Sequence, residues 1–196
     1  MAQTLATIDP DLRVAPRPWR LDLTDERTFG PRADEACARF LARVFTLDEV
    51  RWVEVDRVSG RATVHHRAGP RHAAAFLKRL AATLRSVGGT SLPAFSRVQT
   101  RRNFSLHRHG AVVSSWEVLA ERRGSLEMRQ TRFLEETPRS RRVFAELAAL
   151  PGVLRVRRGA WAGRVRIDFD PAVVSVARLL VLCHEVLEQP EPWGDP

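Results

Sequence analysis

The chain has 196 residues, of which 44% are hydrophobic, and its formal net charge is +9. This length and composition suit two small globular domains of about 90 to 100 residues, each with its own core. Its two cysteines are too few for a disulfide framework, and its longest apolar run is well short of the roughly 20 residues that cross a bilayer. Composition therefore excludes a disulfide-rich secreted scaffold and a membrane-embedded protein, and we expect a soluble protein of a reducing compartment.

The positive charge comes almost wholly from arginine, because Lys78 is the only lysine. A guanidinium group binds phosphate and carboxylate through two parallel hydrogen bonds, so such an excess would suit anion recognition. A GC-rich coding sequence produces the same excess without any function. The arginine content alone therefore does not decide between a binding surface and a compositional bias.

The first predicted elements are a strand and a helix. Apolar and polar residues alternate over residues 19–24, which predicts a half-buried strand. Pro31 suits the start of a helix, and Asp34 and Glu35 place acids in its first turn, where they complement the helix dipole. Apolar residues then recur at spacings of three and four, so we expect an amphipathic helix that runs to about residue 46.

A hairpin and a second helix follow. Residues 51–66 alternate on both sides of Ser59 and Gly60, a turn signal, which predicts two antiparallel strands. Trp52 is out of phase with the apolar residues around it, so it lies either at the edge of the sheet or on the opposite face. Apolar residues at helical spacing predict a second amphipathic helix over residues 73–84.

The second half of the chain repeats the first at a constant offset of 103 residues. The clearest matched pairs are Leu47 and Leu150, Val50 and Val153, Val53 and Val156, Gly60 and Gly163, and Arg61 and Arg164. The repeat predicts a strand over residues 125–130, a helix over 138–150, a hairpin about Gly163 and a helix over 174–188. Self-similarity at a fixed spacing is typical of duplicated structural units.

The order strand, helix, strand, strand, helix places both helices on one face of an antiparallel sheet. We therefore predict an α+β protein made of two tandem ferredoxin-like (βαββαβ) domains, with the helices on one face of each sheet. The fourth strand is expected from residues 94–104 in the first copy. In the second copy it is expected from residues 115–120, paired with residues 126–130 through a turn at Arg123 and Gly124.

The same patterns suggest where the domains begin and end. The expected boundaries are a flexible N-terminus at 1–17, a first domain at 18–92, a basic linker or edge strand at 93–114, a second domain at 115–189 and a Pro-rich tail at 190–196.

The helix end and hairpin of the second copy carry a resemblance to a known family. The helix ends in Leu150, Pro151, Gly152 and Val153, and the second hairpin strand ends in Asp170 and Pro171. This pattern resembles the second half of a heavy-metal-associated domain. Such domains have the ferredoxin-like fold and occur singly, in tandem, or at the cytosolic N-terminus of P-type metal-transporting ATPases.

The resemblance extends over most of the chain. With residues 115–130 in front of it, the second copy is similar to the divergent tandem N-terminal regions of some bacterial ATPases of this type. The resemblance covers residues 19–84 and 116–188. The first copy departs from the pattern, because Leu47, Asp48, Glu49 and Val50 stand at the helix end.

The resemblance implies a metal site that the sequence lacks. Heavy-metal-associated domains bind copper or zinc through the two thiolates of a Cys-x-x-Cys motif, in the loop after the first strand and at a helix N-terminus. The corresponding loops here, residues 24–34 and 131–139, contain no cysteine. Cys37 and Cys183 fall on apolar helix faces and do not match each other at the offset. We therefore expect two buried core thiols and no cofactor.

Histidines offer a weaker candidate for a metal site. The candidate ligands are His65, His66, His107 and His109. The spacing of His107 and His109 would let one strand face supply two imidazoles. Histidines spaced this loosely are more often exposed side chains near loops, and that interpretation is the alternative.

One arginine-rich stretch is a candidate for binding anions or an anionic surface. Residues 97–108 contain Arg97, Arg101, Arg102 and Arg108 and no acid. Contact with a nucleic-acid backbone would weaken steeply with salt, and contact with anionic lipid headgroups is the other binding option. A solvated linker without a partner is the third interpretation.

The sequence contains no catalytic arrangement: there is no Gly-rich phosphate loop, no serine in a nucleophile-turn signature and no His-Glu-x-x-His run. We therefore expect that the protein is not an enzyme, and that any ATPase activity lies outside this chain. The hypothesis is a regulatory or interaction region of two degenerate heavy-metal-associated domains. Its partner would be a P-type metal-transporting ATPase, in cis or in trans, or its own downstream membrane region. Its location would be cytoplasmic, including the inner face of the membrane.

The alternative hypothesis is a module that binds nucleic acid or an anionic surface without specificity, through its arginine-rich face and linker. RNA-recognition modules have the same element order, but they stack bases on aromatic side chains of the two central strands. Here Phe169 is the only aromatic residue near such a position in the matched strands. Sequence-specific recognition of nucleic acid is therefore not expected.

Overall fold

The computed structural model describes residues 12–85, 103–130, 133, 137–159 and 163–188. The chain divides into two compact units, residues 1–106 and 107–196. Both units combine helices with antiparallel sheet, so the prediction of an α+β protein with antiparallel sheets is confirmed. Within the described residues, no helix has the length and hydropathy of a membrane-spanning segment.

The first unit starts with two strands rather than one. Its elements are β1 (Arg13–Arg17), β2 (Arg20–Thr24), α1 (Glu26–Phe29), α2 (Asp34–Val44), β3 (Val50–Asp56), β4 (Arg61–His66), a 3-10 turn (Pro70–His72) and α3 (Ala73–Arg85). Strand β5 (Phe104–His109) follows, and the boundary between the units falls inside it.

The second unit has the same series of elements after one short strand. Its elements are β6 (Val112–Ser114), β7 (Glu117–Arg122), β8 (Ser125–Arg129), α4 (Pro138–Ala148), β9 (Val153–Arg158), β10 (Arg164–Phe169) and α5 (Val176–Glu188). Strands β5 and β6 occupy part of the stretch 93–114 that the sequence assigned to a linker or edge strand.

The duplication is visible in the element boundaries. Strands β3 and β9 begin 103 residues apart, and so do β4 and β10, and α3 and α5. The turn between the paired strands contains Gly60 in the first unit and Gly163 in the second, at φ 62° and 76°. The internal repeat read from the sequence is therefore a repeat of structure.

The sheet of the first unit has the strand order β1-β2-β4-β3-β5, and that of the second unit has the order β7-β8-β10-β9. In each unit the second hairpin strand, β4 or β10, lies between two strands and pairs antiparallel with both. Its alternate side chains face the helices. In β10 these are Val165, Ile167 and Phe169, all at most 3% exposed. Burying each such side chain contributes about 1.5 to 3 kcal/mol, which fixes the face on which the helices pack.

The fourth strand of each unit does not have the place along the chain that the expected βαββαβ order gives it. In the second unit β7 pairs with β8 across the turn at Arg123 and Gly124, in the position predicted for residues 115–120. In the first unit the strand beside β2 is β1. Strand β5, which includes Phe104 from the stretch 94–104, lies on the other side, beside β3. Residues 94–102 lie outside the described residues.

Strand β1 lies at the end of the stretch up to residue 17 for which a flexible N-terminus was expected, and residues 1–11 lie outside the described residues. It pairs with β2 through a two-residue turn, Pro18 and Trp19, and Trp19 has φ 62°. Pro16 removes a backbone donor, which an edge strand tolerates. Four of its five residues are exposed, so the alternation that marks a half-buried strand is missing from its sequence.

We predict that both turn glycines are important for stability, and Gly60 at least as much as Gly163, because a side chain at Gly60 would also lie 3.1 Å from the Glu26 Cα. An alanine at Gly60 or Gly163 must adopt a left-handed conformation, so each substitution should lower the free energy of unfolding by about 1 to 2 kcal/mol. Urea unfolding of Gly60→Ala and Gly163→Ala measures the loss.

A matched control is Gly69→Ala, because a side chain there would meet only the Trp19 ring at 3.8 Å. That substitution should change stability by less than about 0.5 kcal/mol. A loss from Gly60→Ala with none from Gly163→Ala would contradict the equivalence of the two turns.

Candidate functional site

The loop after β2 is where the family resemblance implies a metal site. Residue Asp25 caps α1, accepting a hydrogen bond from the Arg27 N–H at 3.0 Å, and α2 begins at Asp34. Cys37 is the fourth residue of α2 and is fully buried. It therefore lies within the first turns of the helix and not in the loop.

A buried arginine sits at the same helix end. The side chain of Arg57 is 1% exposed, and its Nη2 donates to Asp34 Oδ1 at 2.7 Å. Its Nε and Nη1 are buried and have no hydrogen-bond partner within the described part of the chain. The backbone N–H of Arg57 donates to Asn103 Oδ1 at 2.9 Å, which holds the turn in place. The N-terminal end of α2 thus carries a buried guanidinium group that is ion-paired with Asp34.

Arg57 lowers the pKa of the Cys37 thiol, but burial raises that pKa by more. Desolvation raises the pKa of Cys37 to about 11, against the charge and hydrogen bond of Arg57, which lower it. The group is therefore a neutral thiol at physiological pH, and a thiolate is the form that binds a soft metal ion.

An arginine also reaches the equivalent helix end in the second unit. Thr137 caps α4, and its side chain and that of Ser140 bond reciprocally to each other's backbone N–H at 3.0 and 2.9 Å. The Nη2 of Arg158 donates to Ser140 Oγ at 3.2 Å, and its guanidinium lies 4.8 Å from the centre of the Phe144 ring. Ser140 occupies the position of Cys37 at the 103-residue offset.

The second cysteine lies in the middle of α5. Cys183 is fully buried in α5, and burial raises its pKa to about 12. Its carbonyl accepts a hydrogen bond from the indole N–H of Trp116 at 3.0 Å. Both cysteines are therefore core thiols, as predicted.

The candidate histidines of the first unit face opposite sides of the sheet. His65 lies on the outer face, where its ring stacks on Trp52 at 4.0 Å between centroids. His66 is 5% exposed and stacks on Phe76 at 4.4 Å in the core. Because neighbours along a strand point to opposite faces, these two imidazoles do not converge. Burial lowers the pKa of both.

The other candidates lie in the second unit or outside the described residues. His107 and His109 share one face of β5, and His109 Nε2 lies 2.8 Å from Glu121 Oε2. Arg108 points to the other face of that strand and is opposite Val113. Arg97, Arg101 and Arg102 lie outside the described residues. Among the residues that the structure describes, no group of three or more His, Cys, Asp or Glu side chains is placed to hold a metal ion.

An aromatic pair on the outer face of the first sheet was not expected. Trp52 lies on the face opposite the core because the pairing of β3 with β4 shifts register between Val50 and Trp52. His65 and Arg20 are its successive neighbours across the sheet. The out-of-phase position of Trp52 in the sequence indicated that it does not point into the core. Only the pairing register of β3 with β4 shows that it lies on the outer face and not at the edge of the sheet.

The outer face of the second sheet is dominated by arginine. Its basic residues are Arg122, Arg129, Arg155, Arg157, Arg164 and Arg166, and its acids are Glu117, Glu127 and Asp168. Ion pairs join Arg129 to Glu117 at 2.6 Å and Arg164 to Glu127 at 3.0 Å. Burial would raise the pKa of Asp168, but hydrogen bonds from Arg157, Arg166 and Ser125 outweigh it and lower the value. The face retains an excess of positive charge.

A buried polar cluster in the second unit has a structural role. The hydroxyl of Ser115 lies 3.0 Å from Nδ1 of His184, and the amide of Gln130 donates to the Ser115 carbonyl at 2.7 Å. Ser115 and His184 are 7% and 5% exposed, so the pair has no open approach for a substrate. It ties the connection between β6 and β7 to α5.

Comparison of the chain with protein-family models, with curated proteins and with solved structures found no match in any of the three.

We predict that His66 makes the first unit sensitive to acid. Its pKa is lowered in the folded protein by burial, whereas the unfolded chain has a value near 6.5. Below about pH 6.5 the unfolded state therefore binds a proton that the folded state excludes, and stability is lost as the pH falls towards the lowered native pKa. His66→Phe, which copies Phe169 at the matched position, should remove this part of the loss.

Thermal melts of the intact protein at pH 7.5 and pH 5.5 measure the effect. The advantage of His66→Phe over the unmodified protein should grow at the lower pH, while His72→Gln, at an exposed histidine, should show no such growth. If His66→Phe and the unmodified protein differ in melting temperature by the same amount at both pH values, His66 is not the source of the acid sensitivity.

Proposed function

We propose that this protein is a non-catalytic regulatory or interaction module made of two ferredoxin-like, heavy-metal-associated-type domains that have lost the thiolate site. The observation that carries the proposal is the buried guanidinium of Arg57 at the N-terminus of α2, beside the thiol of Cys37. The resemblance implies that this helix end is the metal-binding end. The guanidinium group, held there by its ion pair with Asp34, offers only donors and fills the end of the helix, so it cannot itself bind a cation.

The second unit supports the same interpretation. Arg158 contacts Ser140 at the equivalent end of α4, so both units have an arginine at the helix end that would face a metal ion. A guanidinium group is charged at any physiological pH and offers only donors, so it cannot itself act as a ligand. The scaffold is duplicated, and an arginine side chain contacts this helix end in both copies.

The ferredoxin-like assignment rests on the central strands and the helices. The three strands of each unit have the order β2-β4-β3 or β8-β10-β9, with the second hairpin strand in the middle. In the second unit the helix residues share one core with the inner face of the sheet. The remaining place, beside β2 or β8, is filled by the preceding strand. We interpret each unit as a ferredoxin-like domain whose edge strand comes before the first central strand.

The proposed partner follows from the resemblance. The similar sequences are cytosolic N-terminal regions of P-type metal-transporting ATPases, so the module would act on such a transporter in cis or in trans. It would work at the cytoplasmic side of the membrane, by contact and not by carrying metal.

Metal titration tests the proposal. The reduced protein should take up no copper(I) or zinc at sub-micromolar free concentrations. The double variant Asp34→Cys/Arg57→Met creates a Cys-x-x-Cys with Cys37 and removes the buried charge together with its partner, an exchange that is often neutral for stability. We expect this variant to gain stoichiometric sub-micromolar binding.

Asp34→Cys alone is the matched control, because it supplies the second thiol and keeps Arg57. It should bind more weakly than the double variant. Stoichiometric uptake by the unmodified protein would contradict the loss of the site, and equal binding by the two variants would contradict the role given to Arg57.

A second candidate function has its own support in the arginine-rich outer face of the second sheet. Four strands present six arginines and three carboxylates there, a balance that suits a polyanion such as single-stranded RNA or an anionic lipid surface. The stacked Trp52 and His65 give the first sheet one aromatic surface beside Arg20.

Salt dependence tests this candidate. Binding of fluorescent poly-uridine RNA should weaken by about a hundredfold between 50 and 200 mM salt, as expected when several phosphates are neutralised. Arg122→Gln and Arg155→Gln should each lower the salt slope by about 1, whereas Arg51→Gln, at an exposed arginine of the first sheet, should not. Binding that tolerates salt and selects a sequence would contradict a non-specific surface.

A further inference from the structure

The two units differ at one edge of their sheets. In the first unit β5 lies beside β3, and Leu106 of β5 is 1% exposed. In the second unit β9 is the last strand of the order β7-β8-β10-β9, and no strand of the described residues lies beyond it. The matched edge is therefore covered in one copy of the repeat and open in the other.

The apolar side chains next to the open edge are partly exposed, whereas their counterparts in the first unit are buried. Four side chains of α2, β3 and the segment that connects them are at most 9% exposed: Leu41, Leu47, Val50 and Val53. The residues 103 positions later are only partly buried: Phe144, Leu150, Val153 and Val156. Leu154, at the register shift in β9, is 72% exposed. An added strand beside β9 would cover apolar surface that the first unit buries.

The backbone of β9 is directed towards the same open edge. The Gly159 N–H donates to the Arg164 carbonyl at 2.9 Å, so this pair is hydrogen-bonded. Hydrogen-bonded and non-hydrogen-bonded pairs alternate along an antiparallel ladder. The N–H and C=O groups of Arg158 and Val156, the first and third residues before Gly159, therefore point away from β10. Groups directed in this way can pair with an extended peptide that adds to the sheet.

Charge distinguishes this edge from its counterpart in the first unit. Strand β9 contains Arg155, Arg157 and Arg158 and no acid, and Arg157 stands where the first unit has Glu54. Arg157 is ion-paired with Asp168 of the neighbouring strand. Arg155 is exposed and forms no ion pair within the described part of the chain. The edge therefore favours a strand that carries acids.

The same charges argue against two other occupants. A second copy of the chain that paired through its own β9 would place arginines beside arginines, and like charges on neighbouring strands are destabilising. A strand like β5 contains Arg108 and two histidines and no acid, so it would also bring positive charge to this edge.

We propose that the β9 edge binds an extended segment of a partner protein, in which acidic and apolar residues alternate, as an added strand of the second sheet. Because side chains alternate between the two faces, the apolar residues cover Val153 and Val156 while the acids face Arg155 and Arg157. Backbone hydrogen bonds to Val156 hold the segment in register. The inference does not rest on the loss of the metal site, on the proposed transporter or on polyanion binding by the outer face.

Fluorescence anisotropy with labelled peptides and the intact protein tests the proposal. The probe is a short peptide of alternating glutamate and valine, and its matched control has lysine in place of each glutamate. We expect the glutamate peptide to bind with a Kd below about 1 mM, and the lysine peptide to bind more than about threefold more weakly.

Residue-resolved hydrogen exchange separates strand addition from charge attraction alone. A saturating concentration of the glutamate peptide should slow exchange of the Val156 amide more than about threefold, because this N–H becomes hydrogen-bonded. Amides of the opposite edge strand, β7, should not change. Because this measurement uses the unmodified protein, it does not depend on whether a variant folds.

Two variants locate the binding at β9. Arg155→Glu should weaken the glutamate peptide by about tenfold, because acids would then oppose an acid. Arg122→Glu is the matched control, since Arg122 lies in the same row of the outer face but on β7. Three strand spacings, about 14 Å, separate the two positions, which exceeds the screening length at physiological salt, so this variant should bind as the unmodified protein does.

A third variant tests the backbone contact. Val156→Pro removes the N–H that points to the open edge and keeps the hydrogen bonds between β9 and β10, a change that edge strands tolerate. It should abolish binding of the glutamate peptide while thermal melts show a folded protein.

Three results would overturn the proposal. The first is a glutamate peptide that binds with a Kd above about 1 mM, or within about threefold of the lysine peptide. The second is binding that leaves exchange of the Val156 amide unchanged. The third is that Arg122→Glu weakens binding as much as Arg155→Glu, which would indicate general attraction to the arginines of the outer face.

Discussion

The two-sided pairing of strands β4 and β10 is the constraint on which the structure depends. Each strand is hydrogen-bonded along both edges and has one apolar face, formed by Ala62 and Val64 in β4 and by Val165 and Ile167 in β10. Because side chains alternate along a strand, a shift of one residue would move each apolar set to the outer face. The helices can therefore pack on one side only.

That constraint leaves two regions of each unit free to vary: the outer face of the sheet and the N-terminal end of the helix after the first central strand. Both carry charge here. The outer face of the second sheet has six arginines, of which Arg129, Arg157, Arg164 and Arg166 form ion pairs. The helix ends meet Arg57 in one unit and Arg158 in the other. The duplicated frame thus holds an electrostatic surface where the family resemblance implies metal chemistry, which is why we favour an interaction module.

Much of the frame could be predicted because its signals are local. The alternation on both sides of Gly60 and Gly163 predicted both hairpins, and the helical spacing of apolar residues predicted four of the five helices of the described chain. Strand β1 could not be predicted in this way, because most of its residues are exposed and its pairing with β2 is its main support. The place of β5 beside β3 likewise depends on contacts distant in sequence.

The arrangement of the candidate site residues depends even more on contacts between residues that are distant in sequence. The two thiols were predicted to be buried from their helix faces, but nothing near Arg57 in the sequence shows that it reaches Asp34 across 23 positions. The side of the sheet taken by Trp52 depends on a register shift between β3 and β4. Hydrophobic patterns show which face is buried; they do not show which charged group is buried with it.

The central claim is that one hydrogen-bonded frame occurs twice, with the second hairpin strand at the middle of each copy. Native-state hydrogen exchange of the intact protein tests this most directly, because it ranks the stability of individual amides. The account predicts that the slowest amides lie in β4 and β10, at positions 103 residues apart such as Val64 and Ile167. Slow exchange confined to one unit, or strongest in the edge strands β1 and β7, would contradict it.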